Sequence, residues 1–243
     1  MQNGRTIRIL TYNIHSCVGT DRRLDPARIA DVIASLDADI VALQEVDVGR
    51  RRTGGVDQAH LIASLLRMQV AFHPALTVAE EKYGDALISA LPMRPAQAAP
   101  LPSLGETRGA LSVEFGIGEK CLRVINTHLG LSGRERVQQM AALLAPPWLG
   151  HPGAENPPTV LCGDFNAVPA SAAYRMAVRS LKDAQAEGGS GTRPTFPSRL
   201  PLLRLDHIFV SQGIRVARTD VVRNRLTRQA SDHLPLIAEI ELI

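Results

Sequence analysis

Val160-Leu161-Cys162-Gly163-Asp164-Phe165-Asn166 is an apolar run that stops abruptly in a Gly-Asp-x-Asn tetrapeptide, and its reading decides the fold. Unbroken apolar residues, rather than an alternation with polar ones, indicate a strand covered on both faces. The same grammar recurs outward from it. Ile7 to Asn13 ends in Thr11-Tyr12-Asn13-Ile14-His15, and Asp39 to Val46 ends in Leu43-Gln44-Glu45-Val46-Asp47, with Glu45 at its exit. Leu122 to Thr127 delivers Asn126-Thr127-His128. Near the C-terminus Arg204-Leu205-Asp206-His207 opens the run Leu205 to Val210, and Ser231-Asp232-His233-Leu234-Pro235 opens Leu236 to Leu242. Buried strands that finish or start in carboxylates, amides and imidazoles bring those groups to one edge of a β core.

Between the strands lie helices. Asp25-Pro26 predicts an N-cap and first turn, followed by an apolar face of Ile29, Val32, Ile33 and Leu36. This strand-helix-strand order implies a crossover between neighbouring strands. A second helix is expected with Leu61, Ile62, Leu65 and Leu66 on one side, a third over Arg134 to Leu144, and a fourth capped by Ser171. Val70 to Phe115 reads as short strands punctuated by Gly84, Pro92, Pro95, Pro100 and Pro102. Arg50 to Asp57 is a basic loop, Gly150 to Pro158 a surface loop, and Glu187 to Pro197 the expected mobile segment. No composition break separates two units, so residues 1–243 are expected to form a single domain.

The 243 residues are 45% apolar, enough for a sizeable core, but aromatic residues make up only 4% and leave Val, Ile, Leu and Ala to pack it. All but three of the 27 basic residues are arginines, the exceptions being Lys82, Lys120 and Lys182. Arginine suits phosphate, though genomic base composition gives the same bias, and a net charge of +3 says little about partners. Cys17, Cys121 and Cys162 lack metal-ligand spacing, and Cys121 and Cys162 are expected to be buried. No apolar run approaches the roughly 18 residues needed to span a membrane, and no leader-like core opens the chain, so a cytoplasmic location is expected.

Hard oxygen donors suit Mg²⁺, and imidazoles beside carboxylates suit proton transfer. Singly, each segment has a plain structural alternative. A strand-end Glu is commonly a solvated loop residue, Gly-Asp-Phe-Asn can be a turn, and Ser-Asp-His can be a cap. Their joint presence in this order resembles the endonuclease/exonuclease/phosphatase superfamily, from about Arg8 to the C-terminus. Tyr83-Gly84-Asp85-Ala86-Leu87-Ile88-Ser89 and Glu106-Thr107-Arg108-Gly109-Ala110 extend the match. The resemblance implies a four-layer αββα sandwich, two mostly antiparallel mixed β-sheets face to face with helices outside. It also implies metal-dependent hydrolysis of a phosphate ester.

By the same resemblance Glu45 would bind the metal, with Asn13 helping to hold it or its water and Asp232 approaching it or a second ion. Asp164 would polarise the attacking water, and Asn166 would donate to a phosphoryl oxygen. His233, paired with Asp206, would neutralise charge or move a proton. His128 stands where some members have tyrosine and would protonate a leaving alkoxide on the side of the site away from Asn13, Asp164 and Asn166. Asp85 would orient His128, and Arg108 would face phosphate. His15 and His207 lie nearby in sequence.

The implied cofactor is Mg²⁺, with Mn²⁺ as a substitute. The implied partner is a phosphate-ester substrate: a lipid headgroup, a small phosphodiester or nucleic acid. No obligatory protein partner is expected. A phosphodiesterase or phosphatase leads over a DNA or RNA nuclease, because no insertion is long enough to grip both strands of a duplex. A catalytically inactive binding module is the third reading, and the intact Glu45, Asp164, Asn166, Asp206 and His233 weigh against it.

Overall fold

In the computed structural model the described residues are 5–149, 157–188 and 191–243. The chain begins with strand β1 (Ile7–Asn13), helix α1 (Pro26–Leu36) and strand β2 (Ile40–Val48), and continues with α2 (Gln58–Leu66). Five strands follow: β3 (Gln69–Val78), β4 (Glu81–Ser89), β5 (Met93–Leu101), β6 (Arg108–Ile117) and β7 (Lys120–His128). Then come α3 (Gly133–Leu144), β8 (Thr159–Asp164), α4 (Ala172–Ser180), β9 (Lys182–Asp183) and α5 (Ala184–Glu187). The chain closes with β10 (Asp206–Val210), β11 (Ile214–Val221), α6 (Arg225–Ala230) and β12 (Leu236–Leu242).

The strands form two six-stranded sheets, ordered β11-β12-β1-β2-β4-β3 and β5-β6-β7-β8-β10-β9. Each sheet has one parallel pair at its centre, β1 with β2 and β7 with β8, and the other pairings are antiparallel. A parallel pair needs a crossover, which α1 and α3 supply. The period of two then builds the layers. Ile7 and Ile9 of β1, with Val160 and Cys162 of β8, point between the sheets into one apolar cluster. Leu10 and Tyr12 point the other way, onto α1 and α2, and Leu161 points onto the α3 and α4 side. Both faces of the central strands are therefore covered, which is why they read as unbroken apolar runs. The result is the four-layer αββα sandwich.

Local signals account for the helix boundaries. The Asp25 carboxylate accepts from the Arg28 amide at 3.0 Å, Pro26 occupies the first turn, and the Ser171 hydroxyl accepts from the Tyr174 amide at 3.2 Å. The expected face of α2 needs correction. Ala59, Ile62 and Ala63 are buried and Leu66 packs against them, while Leu61 and Leu65 are exposed. A nine-residue helix lays down one stripe, and the small alanines share it with Ile62 and Leu66; positions 61 and 65 fall on its solvent flank. Cys121 is also exposed, since it starts β7 at the far end of a hairpin, whereas Cys162 is buried as expected. Most of the Gly150 to Pro158 loop lies outside the described residues. Within Glu187 to Pro197, Thr195 is fully buried and tied to Leu203 and Leu234, so that part is a fixed element of the fold. No helix among the described residues is long and apolar enough to cross a membrane.

This topology gathers strand ends. β1, β2, β7 and β8 finish at the same edge of the sandwich, and their antiparallel neighbours β10 and β12 begin there. The register sets Asp206 opposite Asp164, and His128 beside it.

Candidate active site

Asp164 is the hub of this edge. Its Oδ2 lies 3.0 Å from Asn13 Nδ2, 3.4 Å from His128 Nε2 and 3.6 Å from His233 Nε2. The other oxygen, Oδ1, accepts from the Asn166 amide at 2.8 Å. Gly163 makes the position possible: its φ of +144° and its approach to the Thr127 carbonyl leave no room for a Cβ. Burial raises the Asp164 pKa, Asp206 adds to the rise, and the cationic His233 opposes it.

His233 Nδ1 lies 2.9 Å from Asp206 Oδ2, and both side chains are buried. Burial alone would lower the His233 pKa, but the Asp206 and Asp164 carboxylates outweigh it and hold the ring protonated. The same ring packs against Phe196, with centroids 4.8 Å apart. Thr195 Oγ1 accepts from the Leu205 and Asp206 amides at 3.3 Å, fixing the start of β10. Neither Thr195 nor Phe196 carries a motif, and their loop read as mobile, so sequence reasoning missed both.

His128 is in the opposite state. Burial, the Arg108 guanidinium and His233 push its pKa well below the ordinary value, so the ring is neutral. Arg108 Nη1 donates to Nδ1 at 3.0 Å, which leaves the ring proton on Nε2, 3.4 Å from Asp164 Oδ2. Asn166 Nδ2, 3.1 Å from the same nitrogen, donates to the Leu129 carbonyl at 2.9 Å. Three expectations change here. His128 sits beside Asp164 and Asn166 rather than across from them. Asp85 makes no hydrogen bond to His128 among the described residues; Arg108 takes that place. Arg108 is itself buried, with Nη1 shared between His128 and Glu106, instead of facing an open phosphate site.

Glu45 stands on a bulge of β2, where the register with β4 shifts between Leu43 and Val46. Its φ is +58°, a strained conformation for a residue with a side chain, and such outliers cluster at functional sites. It is therefore mid-strand, not at the exit. Its Oε1 accepts from Asn13 Nδ2 at 2.9 Å, and Oε2 has no hydrogen-bond partner among the described residues. Asn13 Oδ1 is taken by the His15 amide at 3.0 Å, so Asn13 turns its NH₂ to the two carboxylates and ties them together. The amide oxygen, with that one bond, keeps a second lone pair. Asp85 is buried nearby, and its pKa is raised to about 8 by that burial, against the pull of Arg108 and with the push of Glu45.

Asp232 is half-buried beside His233, and its carboxylate receives a long 3.4 Å bond from Ser231 Oγ. It stands outside the group of Asp164, Asp206 and His233, whose ligand atoms lie within 4.8 Å of one another. His15 is exposed and bonded to Val18, and His207 is buried against the Ala167 carbonyl at 2.7 Å, so neither ring faces the hub. The basic loop is largely paired: Arg52 grips Asp47 at 2.7 and 2.8 Å, while Arg50 and Arg51 lie 3.6 Å from Glu81.

The donor set fits a hard divalent cation. The Asp164 and Asp206 carboxylates stand within 4.8 Å of each other and of His233, and Asp206 Oδ1 is buried with no hydrogen-bond partner among the described residues. Glu45, outside that group, is tied to Asp164 through Asn13. Two sheets with carboxylates, amides and two imidazoles in opposite charge states at one edge define a class of acid–base centre suited to esters of phosphoric acid. A model of the Endonuclease/Exonuclease/phosphatase family matches residues 10–233, and the chain belongs to that family. It is 31% identical to YbhP of Escherichia coli K12 over 252 aligned positions, covering 98% of this chain and 97% of that protein. An endonuclease/exonuclease/phosphatase from Beutenbergia cavernae superposes with a TM-score of 0.80 at 25% identity, over 98% of this chain and 72% of that one. A mannosyl-6-phosphatase of Bacteroides thetaiotaomicron shares the fold at a TM-score of 0.72 and 20% identity, over 96% and 99% of the two chains.

Proposed function

We propose that this protein is a divalent-metal-dependent hydrolase of phosphate esters, using Mg²⁺ first and Mn²⁺ as a substitute, on a lipid or small-molecule headgroup. The observation that carries the reading is the Asp164 carboxylate, held by Asn13 and flanked by one neutral and one cationic imidazole. Glu45 would hold the metal, with Asp164, Asp206 or Asp232 supplying further oxygens. The bound ion would neutralise phosphoryl charge and assist the attacking or departing oxygen.

The chain's own groups divide the remaining work. Asp164, with its proton affinity raised by burial, takes a proton from water near neutral pH. Asn166 and the Nε2–H of His128 donate to non-bridging phosphoryl oxygens. His128 is therefore proposed as a hydrogen-bond donor, because a neutral imidazole is a poor acid toward an alkoxide. The cationic His233, fixed by Asp206, meets the charge that develops on the phosphoryl oxygens and holds the proton a leaving oxygen needs.

A panel of phospholipids, lysophospholipids, inositol phosphates and oligonucleotides, assayed with and without Mg²⁺, tests the reading. Metal-dependent release of phosphate or alcohol from a lipid or small ester is expected. Glu45→Gln should lose activity by roughly 10²-fold or more at limiting Mg²⁺ while melting like the wild type. Wild-type rates in that variant at limiting metal would remove Glu45 from the metal site. Cleavage confined to oligonucleotides would replace the substrate class.

A further inference from the structure

Beside the catalytic edge, Phe196 pairs with Leu203, and the Leu202 and Leu203 amides both donate to the Phe196 carbonyl, at 2.9 and 2.8 Å. Residues 197–202 are therefore the tip of a short hairpin whose base lies on the ring of His233. The tip is anchored: the Ser198 amide donates to the Asp232 carbonyl at 2.6 Å, and the Ser198 hydroxyl to the Ser231 carbonyl at 2.7 Å. Yet it turns its apolar groups outward. Leu200 is 64% exposed, Leu202 70% and Leu203 43%, although leucine belongs in a core.

Arginines surround this tip. Arg199, Arg225 and Arg228, with Thr20 and Gln229, line a recess of about 410 Å³, and Arg223 donates to the Arg199 carbonyl at 3.1 Å. Among the described residues none of these four arginines has a carboxylate within ion-pair distance. Elsewhere Arg28, Arg52 and Arg204 are each committed to an aspartate. Asp21, the acid of the recess, is already held by Arg28 at 2.8 Å and by Gln229 at 2.8 Å. Arg199 donates to the Thr20 carbonyl at 2.9 Å, so these guanidiniums touch backbone oxygens at most. Cations without a carboxylate partner around exposed leucines are the two halves of an interfacial anchor: apolar groups enter the acyl boundary, and guanidiniums meet anionic headgroups.

We propose that the 197–203 hairpin and its arginine collar dock the protein on an anionic lipid surface, with the catalytic edge turned to the headgroups. The inference rests on the headgroup substrate proposed above and gives it a means of presentation. Nucleic acid would use the arginines but leave three leucines in water, and the tip has no aromatic ring on which bases could stack. A second copy of the chain would bring four unpaired cations against four more.

The test is sedimentation of the chelator-treated protein with vesicles of phosphatidylcholine plus phosphatidylglycerol, and with phosphatidylcholine alone. Wild-type protein is expected to pellet with the anionic vesicles, far less with the neutral ones, and to release as salt rises. Arg225→Gln with Arg228→Gln should weaken partitioning about 25-fold, at roughly fivefold per arginine near an anionic surface. Leu200→Ser with Leu202→Ser should weaken it comparably. Both double variants should melt like wild type and hydrolyse a soluble aryl phosphodiester at unchanged rates. Wild-type protein that stays in the supernatant overturns the proposal. So does vesicle binding that both double variants retain, or an arginine-dependent affinity for oligonucleotides without vesicle binding. Because sedimentation reads no hydrolysis, vesicle binding by a protein inert on every ester keeps the dock and rejects the catalytic reading, and the reverse result does the opposite.

Discussion

At the scale of single residues the site depends on two histidines held in different states by their partners. Burial, with Arg108 beside it, keeps His128 neutral, and Asp206 and Asp164 keep His233 charged against its own burial. Removing the Asp206 charge should undo the second state. In Asp206→Asn the imidazolium loses its nearest anion, so the His233 pKa falls. The alkaline limb of the pH–rate profile should move to lower pH, with a rate loss of roughly 10²–10⁴-fold near neutrality. A stopped assay across pH, joined to an NMR titration of His233 in the metal-free protein, reads both effects. An unchanged alkaline limb, even with a slower enzyme, would reduce Asp206 to a structural partner. The chemical types at these positions were legible in the sequence, because carboxylates and imidazoles at strand ends announce acid–base work. Their charge states were not. Which nitrogen faces which donor depends on Arg108 lying across from His128, and no spacing rule connects residues twenty apart through a hairpin.

At the scale of elements, the strand ends converge because each sheet carries one parallel pair. The sequence revealed β1, β2, β7 and β8 as apolar runs closed by polar motifs, since burial on both faces leaves that signature. It could not reveal the bulge at Glu45, because a bulge is set by pairing with β4 rather than by local residue type. Nor could it separate Leu61 and Leu65 from the buried side of α2, since hydrophobicity alone does not tell a flank from a face. Gly163 was legible as part of a motif, but its reason is steric. A Cβ there would collide with the Thr127 backbone of the neighbouring strand, and the φ of +144° excludes other residues in any case. Gly163→Ala should therefore force β8 away from β7 and displace Asp164. The expected loss is roughly 2–4 kcal/mol of stability, with activity falling further than unfolding explains. Denaturant melts beside assays at a temperature where the variant is folded would separate the two losses. A variant as stable as wild type would mean the strand can shift to admit a methyl group.

At the scale of the whole molecule, two sheets slide or lock according to what crosses between them. Most of that layer is aliphatic and sets no register, but Asn126 does. Its amide donates to the Leu43 and Ala86 carbonyls of the opposite sheet at 2.8 and 2.9 Å, and its oxygen accepts from Gln44 at 2.7 Å. Asn126→Ala should cost roughly 2–5 kcal/mol, because buried carbonyls lose their donors; a melt within about 0.5 kcal/mol of wild type would rule out this locking role. Buried titratable groups govern the pH dependence of the metal-free fold. Asp85 is held neutral up to about pH 8, so between its unfolded pKa of about 4 and pH 8 the folded state carries the extra proton and stability falls as pH rises. Buried His207, lowered to about 4, and His128 act in the other direction: below their ordinary value of about 6.5 the unfolded state binds more protons, so stability rises with pH. Asp164, raised to about 7, falls with Asp85, so two falling and two rising contributions offset each other from about pH 4 to 6.5. Above that window His207 and His128 are neutral in both states, and only falling contributions remain, from Asp164 up to about 7, Asp85 up to about 8 and His233 up to about 10. Thermal melts in chelator should thus be level across the acid range and decline from about pH 6.5 upward, by about 1.4 kcal/mol per pH unit for each proton difference. Asp85→Asn removes one falling contribution, so its melting temperature should climb from pH 4 to 6.5 and decline less steeply between 6.5 and 8. A variant whose curve parallels the wild type at every pH would show that Asp85 is ionised in the fold and that its burial is compensated by Arg108.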